Sequence, residues 1–157
     1  MRATRPSLLL ALVFAAALSV WALLKGVYSQ MVPLPWTAVP TLLLLALGEI
    51  VTGVNLRNKI HHKAAAENAR PVDPMGVARM AALGKASAHA AAVLTGVFLG
   101  FALHVLPNLD LPTPRHDFVV SAATTVSALA LTGAALFLEW CCRIPEDPEE
   151  KKKKERR

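Results

Sequence analysis

The stretch MAALGKASAHAAAVLTGVFLGFALHVL at residues 80–106 decides the fold, because its only charged side chain is Lys85. A helix needs about 20 predominantly apolar residues to cross roughly 30 Å of hydrocarbon, and this stretch exceeds that length. Three further runs qualify on either side of it, at residues 8–24, 36–54 and 118–140. The reading is an all-α integral membrane four-helix bundle. It forms one membrane domain over residues 1–144, followed by a charged tail, 145–157, expected to be disordered because it has too few apolar residues to bury. Of 157 residues, 54% are apolar and 18% charged. The segments between spans are too short to enclose a core of their own.

Charge placement supplies an orientation. The net charge is +6, but the basic residues are sorted along the chain instead of forming a nucleic-acid patch. Arg2 and Arg5 precede the first span, and Arg57, Lys59, Lys63, Arg70 and Arg79 lie between the second and third. Arg143, Lys151 to Lys154, Arg156 and Arg157 follow the fourth, while Lys25 and Arg115 fall on the opposite side. Basic residues in short loops stay in the cytoplasm, so the N-terminus, the C-terminus and the central loop are expected to be cytoplasmic. The first span has the positive start of a signal peptide. Ser19 to Lys25 nevertheless lacks the polar, small-residue cleavage region, so it reads as an uncleaved anchor.

Punctuation residues set the element ends. Helix one is expected to begin after Pro6 with Ser7 as cap, and to end near Leu24. Thr37 caps helix two, with Pro40 in its first turn, where a missing N–H breaks no helical bond. A polar extension, Asn55 to Asn68, is expected to continue this helix into the cytoplasm. Asp73 and Pro74 read as the N-cap and first residue of helix three. Residues 107–117 form a proline-rich outer loop, with Asp117 as the cap of helix four. Trp21, Trp36 and Trp140 mark the membrane boundaries.

Charges at bilayer depth cost roughly 2.5–3.5 kcal/mol each on insertion scales and call for a partner or a role. Glu49 and Lys85 each lie six positions from the polar end of their helix, so an intramembrane ion pair between helices two and three is expected. Lys85 snorkelling to the headgroups, or a proton or ion pathway, are the alternatives. His89 lies one turn deeper than Lys85, and Glu139 sits near the cytoplasmic end of helix four. Gly84, Ala88, Ala92, Gly96 and Gly100 recur every four residues on helix three. Ser121, Thr125, Ala128, Thr132, Ala135 and Glu139 share a face of helix four. Two such stripes argue that helices three and four pack together by close backbone approach and interhelical hydrogen bonds, or that one stripe is a dimer face.

Other chemistry is thin. Cys141 and Cys142 are adjacent, without redox or zinc spacing, and read as a reduced structural pair. His61 and His62 read as a solvated surface. No metal site, cofactor motif or nucleophile with an evident base stands out, and the chain is expected not to be an enzyme.

Thr4-Arg5-Pro6 before the first span, Pro33-Leu34-Pro35-Trp36 before the second and Arg70-Pro71-Val72-Asp73-Pro74 before the third form one ordered set. It continues as Val77-Ala78-Arg79 and Ala81 to Ser87. This combination resembles the actinobacterial membrane-protein family known as domain of unknown function 3180, over nearly the whole chain to about Pro145. The resemblance implies a four-helix plasma-membrane protein and assigns no catalytic residue. Its members are often encoded beside folate-biosynthesis genes.

The functional expectation is a non-enzymatic scaffold, regulator or complex subunit. It would meet a protein partner or anionic lipid through the basic residues Arg57, Lys59, Lys63, Arg70 and Arg79, or self-associate through helices three and four. The alternative is a small proton-coupled transporter or channel using Glu49, Lys85 and His89.

Overall fold

A computed structural model describes residues 6–28, 31–64 and 74–142, the side chains of 59–64 and Pro74 excepted. Its elements are α1 (Pro6–Val27), α2 (Ala38–Ala64), α3 (Pro74–Val105), a single 3-10 turn at Leu106–Asn108, and α4 (Pro112–Cys141). Each of the four helices is long and apolar enough to cross a membrane. Among the described residues there is no strand.

Prolines open three of the helices. Pro6, Pro74 and Pro112 are each the first helical residue, where the fixed φ suits the helix and the absent N–H would have had no partner. Ser7 is therefore inside α1 and not its cap, and the helix continues past Leu24 to Val27. Helix α2 starts directly after Thr37, with Pro40 in its first turn, and its polar extension stays helical to Ala64. Asp73, the expected cap of α3, lies outside the described residues, as do the charged tail, Arg70 and the basic residues near both chain ends.

Helix α4 differs most from expectation. It begins at Pro112, five residues before Asp117, because Pro112 and Pro114 are both tolerated within a first turn. Leu111 has extended backbone and stands at the cap position without a side-chain cap bond. Asp117 is thereby carried into the second turn and released from capping.

The helices assemble in the packing order α1–α3–α4–α2, with α3 and α4 as the central pair. Leu9 of α1 clusters with Ala88, Ala92 and Ala135, and Leu24 with Phe101 and Val105, so α1 runs parallel to α3. Leu42 and Ala46 of α2 meet Ala128 and Leu131, while Leu56 meets Leu138 and Cys142, so α2 runs parallel to α4. One end of the bundle thus holds Pro6, Ala64, Pro74 and Cys141 and is termed the terminal end. The other holds residues 31–37 and 106–111 and is termed the hairpin end.

Small residues set how closely these helices approach. A Cβ added at Gly96 would collide with the Val13 carbonyl oxygen and lie 2.7 Å from Ala16 Cβ. One added at Gly100 would collide with the Ala17 carbonyl oxygen and lie 3.0 Å from Ala17 Cα. Both glycines therefore seat α1, whereas Gly84 seats α4, its added Cβ lying 3.1 Å from the Ala135 carbonyl oxygen. The stripe on α3 is not a single α4 face. Residues spaced by four advance about 40° around a helix at each step, so between Gly84 and Gly100 the stripe turns by about 160°. It starts against α4, passes Ala88 and Ala92 in the seam shared with Leu9 and Ala135, and ends against α1.

The interhelical hydrogen bonds expected from the α4 hydroxyls are replaced by bonds within the helix. Thr124, Thr125, Ser127 and Thr132 each donate to the carbonyl four residues earlier, Ser121 donates to Phe118, and Thr95 of α3 donates to Ala91. With each hydroxyl satisfied locally, the faces meet as small surfaces and are held by van der Waals contact.

Candidate functional site

The intramembrane charges Glu49 and Lys85 lie on different seams of the bundle. Among the described residues no ion pair joins Glu49 and Lys85. Two geometric facts separate them. Gly53 abuts Phe137 and Leu138 of α4, so Glu49, one turn away on α2, belongs to the α2–α4 seam. Lys85 is about 100° around α3 from Gly84, which faces α4, and shares the side carrying Gly96 and Gly100, which faces α1. It is exposed at the terminal end, in keeping with a snorkelling cation. His89 turns back on its own helix, its Nδ1 lying 2.7 Å from the Lys85 carbonyl oxygen. Glu139 sits beside Gly84 at the same end, its backbone nitrogen 3.3 Å from where a Cβ would stand. Glu49 Oε2 is buried without a hydrogen-bond partner.

The basic face is described at two of its members. Arg57 and Arg79 are exposed at the terminal end, and Arg57 lies 4.6 Å from the ring centroid of Trp140, joining α2 to α4 by a cation–π contact. The side chains of Lys59 and Lys63, and all of Arg70, lie outside the described residues. Cys141 and Cys142 are buried free thiols.

Among the described residues, a polar network lies at the hairpin end, where the sequence reading sees only a helix cap in Asp117 and a boundary marker in Trp36. Asp117 is 3% exposed. Its Oδ1 accepts the backbone N–H of Leu34 at 2.9 Å and its Oδ2 accepts the Tyr28 hydroxyl at 3.1 Å. A buried carboxylate is stable only when its oxygens are satisfied, and these two bonds tie the α1–α2 connection to the start of α4. His116 extends the network. The Trp36 indole N–H donates to His116 Nε2 at 3.2 Å, which places the proton of a neutral ring on Nδ1, 3.5 Å from Asp117 Oδ1. Tyr28 also packs its ring against Phe101 and His104.

Burial pushes the Tyr28 hydroxyl up to about 12, and its hydrogen bond to Asp117 and the charge on that carboxylate act in the same direction. The signal that could have located this network was Pro112. As a first helical residue, the role Pro74 has in α3, Pro112 sets Asp117 inside α4 and in need of another partner.

Among the described residues no three His, Cys, Asp or Glu side chains gather as metal ligands would. Four long apolar helices, paired through small residues and closed at one end by a buried carboxylate, define a multi-pass helical membrane protein. The chain matches over residues 8–146 the family described as protein of unknown function (DUF3180), and it belongs to that family. No curated protein and no solved structure matches it.

Proposed function

We propose that this chain is a non-enzymatic scaffold, regulator or complex subunit of the bacterial plasma membrane, with both termini and the α2–α3 connection in the cytoplasm. The observation that carries the reading is the sorting of charge. Arg57 and Arg79 stand at the terminal end, and the sequence adds Lys59, Lys63, Arg70 and the basic residues of both chain ends to that side. Such a face attracts an acidic protein surface or anionic lipid, at about 1 kcal/mol per charge near a charged membrane. The inner faces of α3 and α4 are taken up within the chain. A partner in the bilayer would instead meet the outward sides of α1 and α2, where Leu10, Phe14, Leu18, Leu44, Leu47 and Val51 are exposed.

The experiment is crosslinking in native membranes followed by purification in mild detergent. The expected result is a stoichiometric partner that is lost when Arg57, Arg70 and Arg79 are replaced together by Gln. A chain that purifies alone, or a partner indifferent to those substitutions, removes the docking reading.

A second reading, a small proton-coupled transporter or channel, is favoured by the buried, unpartnered oxygen of Glu49. Reconstituted vesicles should then show proton flux that Glu49→Gln abolishes, and vesicles without flux exclude it.

A further inference from the structure

A cavity of about 450 Å³ opens at the hairpin end, between the 106–111 connection, Trp36 and the first turns of α4. Its volume lies within the range of small-ligand sites, roughly 300–1,000 Å³. Two opposite charges line it, Asp110 and Arg115, yet they form no ion pair with one another. Both are exposed, and neither side chain bonds to any described residue. Arg115 presents a planar fork of donors suited to a phosphate, and Asp110 presents acceptors suited to an ammonium group. The same cavity is lined by the rings of Trp36 and His116, joined edge to face by their hydrogen bond, with centroids 6.2 Å apart. The His116 nitrogens are already engaged by Trp36 and Asp117, so this pair forms a rigid wall and leaves binding to the two charges. The remaining lining is apolar and outward-facing, with Leu111 58% and Val119 47% exposed where α4 enters its apolar run.

We propose that this cavity binds the headgroup of a zwitterionic aminophospholipid of the ethanolamine type. The phosphate meets Arg115, the ammonium meets Asp110 and the Trp36 face, and the acyl chains leave over Leu111 and Val119 into the bilayer. Three features select this occupant. The paired but uncoupled charges match a zwitterion better than an anionic headgroup, which would leave Asp110 facing like charge. The carboxylate of Asp110 is acceptor-only, and an ethanolamine ammonium offers it N–H donors that a choline group lacks. The apolar exit at the bundle end suits a molecule with tails better than a free solute. The inference is independent of any docking at the basic face.

Native mass spectrometry of the full chain, delipidated in mild detergent, tests it with short-chain phosphatidylethanolamine, phosphatidylcholine and phosphatidylglycerol. The wild type should retain the ethanolamine lipid at about tenfold lower concentration than either of the others, the difference one charge-assisted contact supplies. Asp110→Asn should erase that preference and Asp110→Glu should restore it, while Arg115→Gln should weaken retention of all three. Both sites are on the surface, and an unchanged circular dichroism spectrum confirms that the variants fold. Equal retention of the three lipids by the wild type overturns the proposal. So does a preference that survives Asp110→Asn and Arg115→Gln, which would place the lipid elsewhere. Soluble phosphoethanolamine binding as tightly as the lipid would make the cavity a solute site and sink the lipid assignment.

Discussion

Tyr28 is the only tyrosine of the chain, so its ionisation can be followed by tyrosinate absorbance without interference. In the fold its hydroxyl is held at about 12, against an ordinary value near 10, by burial first and then by the hydrogen bond and charge of Asp117. A raised acid dissociation constant favours the neutral form. The stabilisation it represents is therefore complete below about pH 10 and is lost as pH rises through about 12. The folded protein should titrate near the upper value, and the wild type should loosen at its hairpin end over that interval. Asp117→Asn removes the carboxylate charge, so the midpoint should move down while staying above 10, because burial persists. It should also cost about 1 kcal/mol, the usual scale for a lost internal hydrogen bond. A wild-type midpoint near 10 would mean that the α1–α2 connection is not docked on Asp117. None of this was legible from residue types alone. Asp117 was visible as a polar residue at a helix start, but its role depends on Leu34 and Tyr28, more than eighty residues away.

At the scale of elements, the spans were legible because uncharged length is a local property, and the helix starts at Pro74 and after Thr37 followed from local chemistry. The choice of neighbours was not. A glycine reports that something comes close without naming it, and a four-residue repeat that turns about 40° per step meets more than one neighbour along a long helix. The α3 stripe accordingly serves α4 at Gly84 and α1 at Gly96 and Gly100. Among the described residues the expected Glu49–Lys85 pair is not formed, since equal depth on successive helices does not make those helices neighbours. The glycines give an ordered prediction. Gly96→Ala and Gly100→Ala should each cost about 1–3 kcal/mol, because backbone of α1 stands where the methyl would go. Gly84→Ala should cost less, its nearest contact being 3.1 Å. Gly48→Ala meets nothing within 4 Å and should be neutral or gain up to about 1 kcal/mol from helix propensity. Unfolding by SDS in mixed micelles reads all four. Equal losses at the four positions would mean that the glycines do not seat the helices.

For the whole molecule, the question is what fixes which end faces the cytoplasm. Aromatic anchors do not decide it, because both ends have them. Lys25 lies 3.8 Å from the centroid of Trp21, and Trp36 stands on His116, at the hairpin end; Arg57 stands on Trp140 at the terminal end. The buried carboxylate network at the hairpin end is satisfied internally and adds little net attraction to either side. Loop cations are the remaining asymmetry, and they favour a cytoplasmic terminal end. Reporter fusions at position 65 and after position 142 should therefore be cytoplasmic, and a fusion at position 110 should be exterior. If loop charge is the determinant, replacing Arg57, Lys59, Lys63, Arg70 and Arg79 by Gln should produce a mixed population in which position 65 becomes partly exterior. An exterior reporter at 65 in the wild type would reverse the orientation. An orientation unmoved by the five substitutions would shift the determinant to Arg2, Arg5 and the basic tail, a choice that neutralising those residues would settle in the same assay.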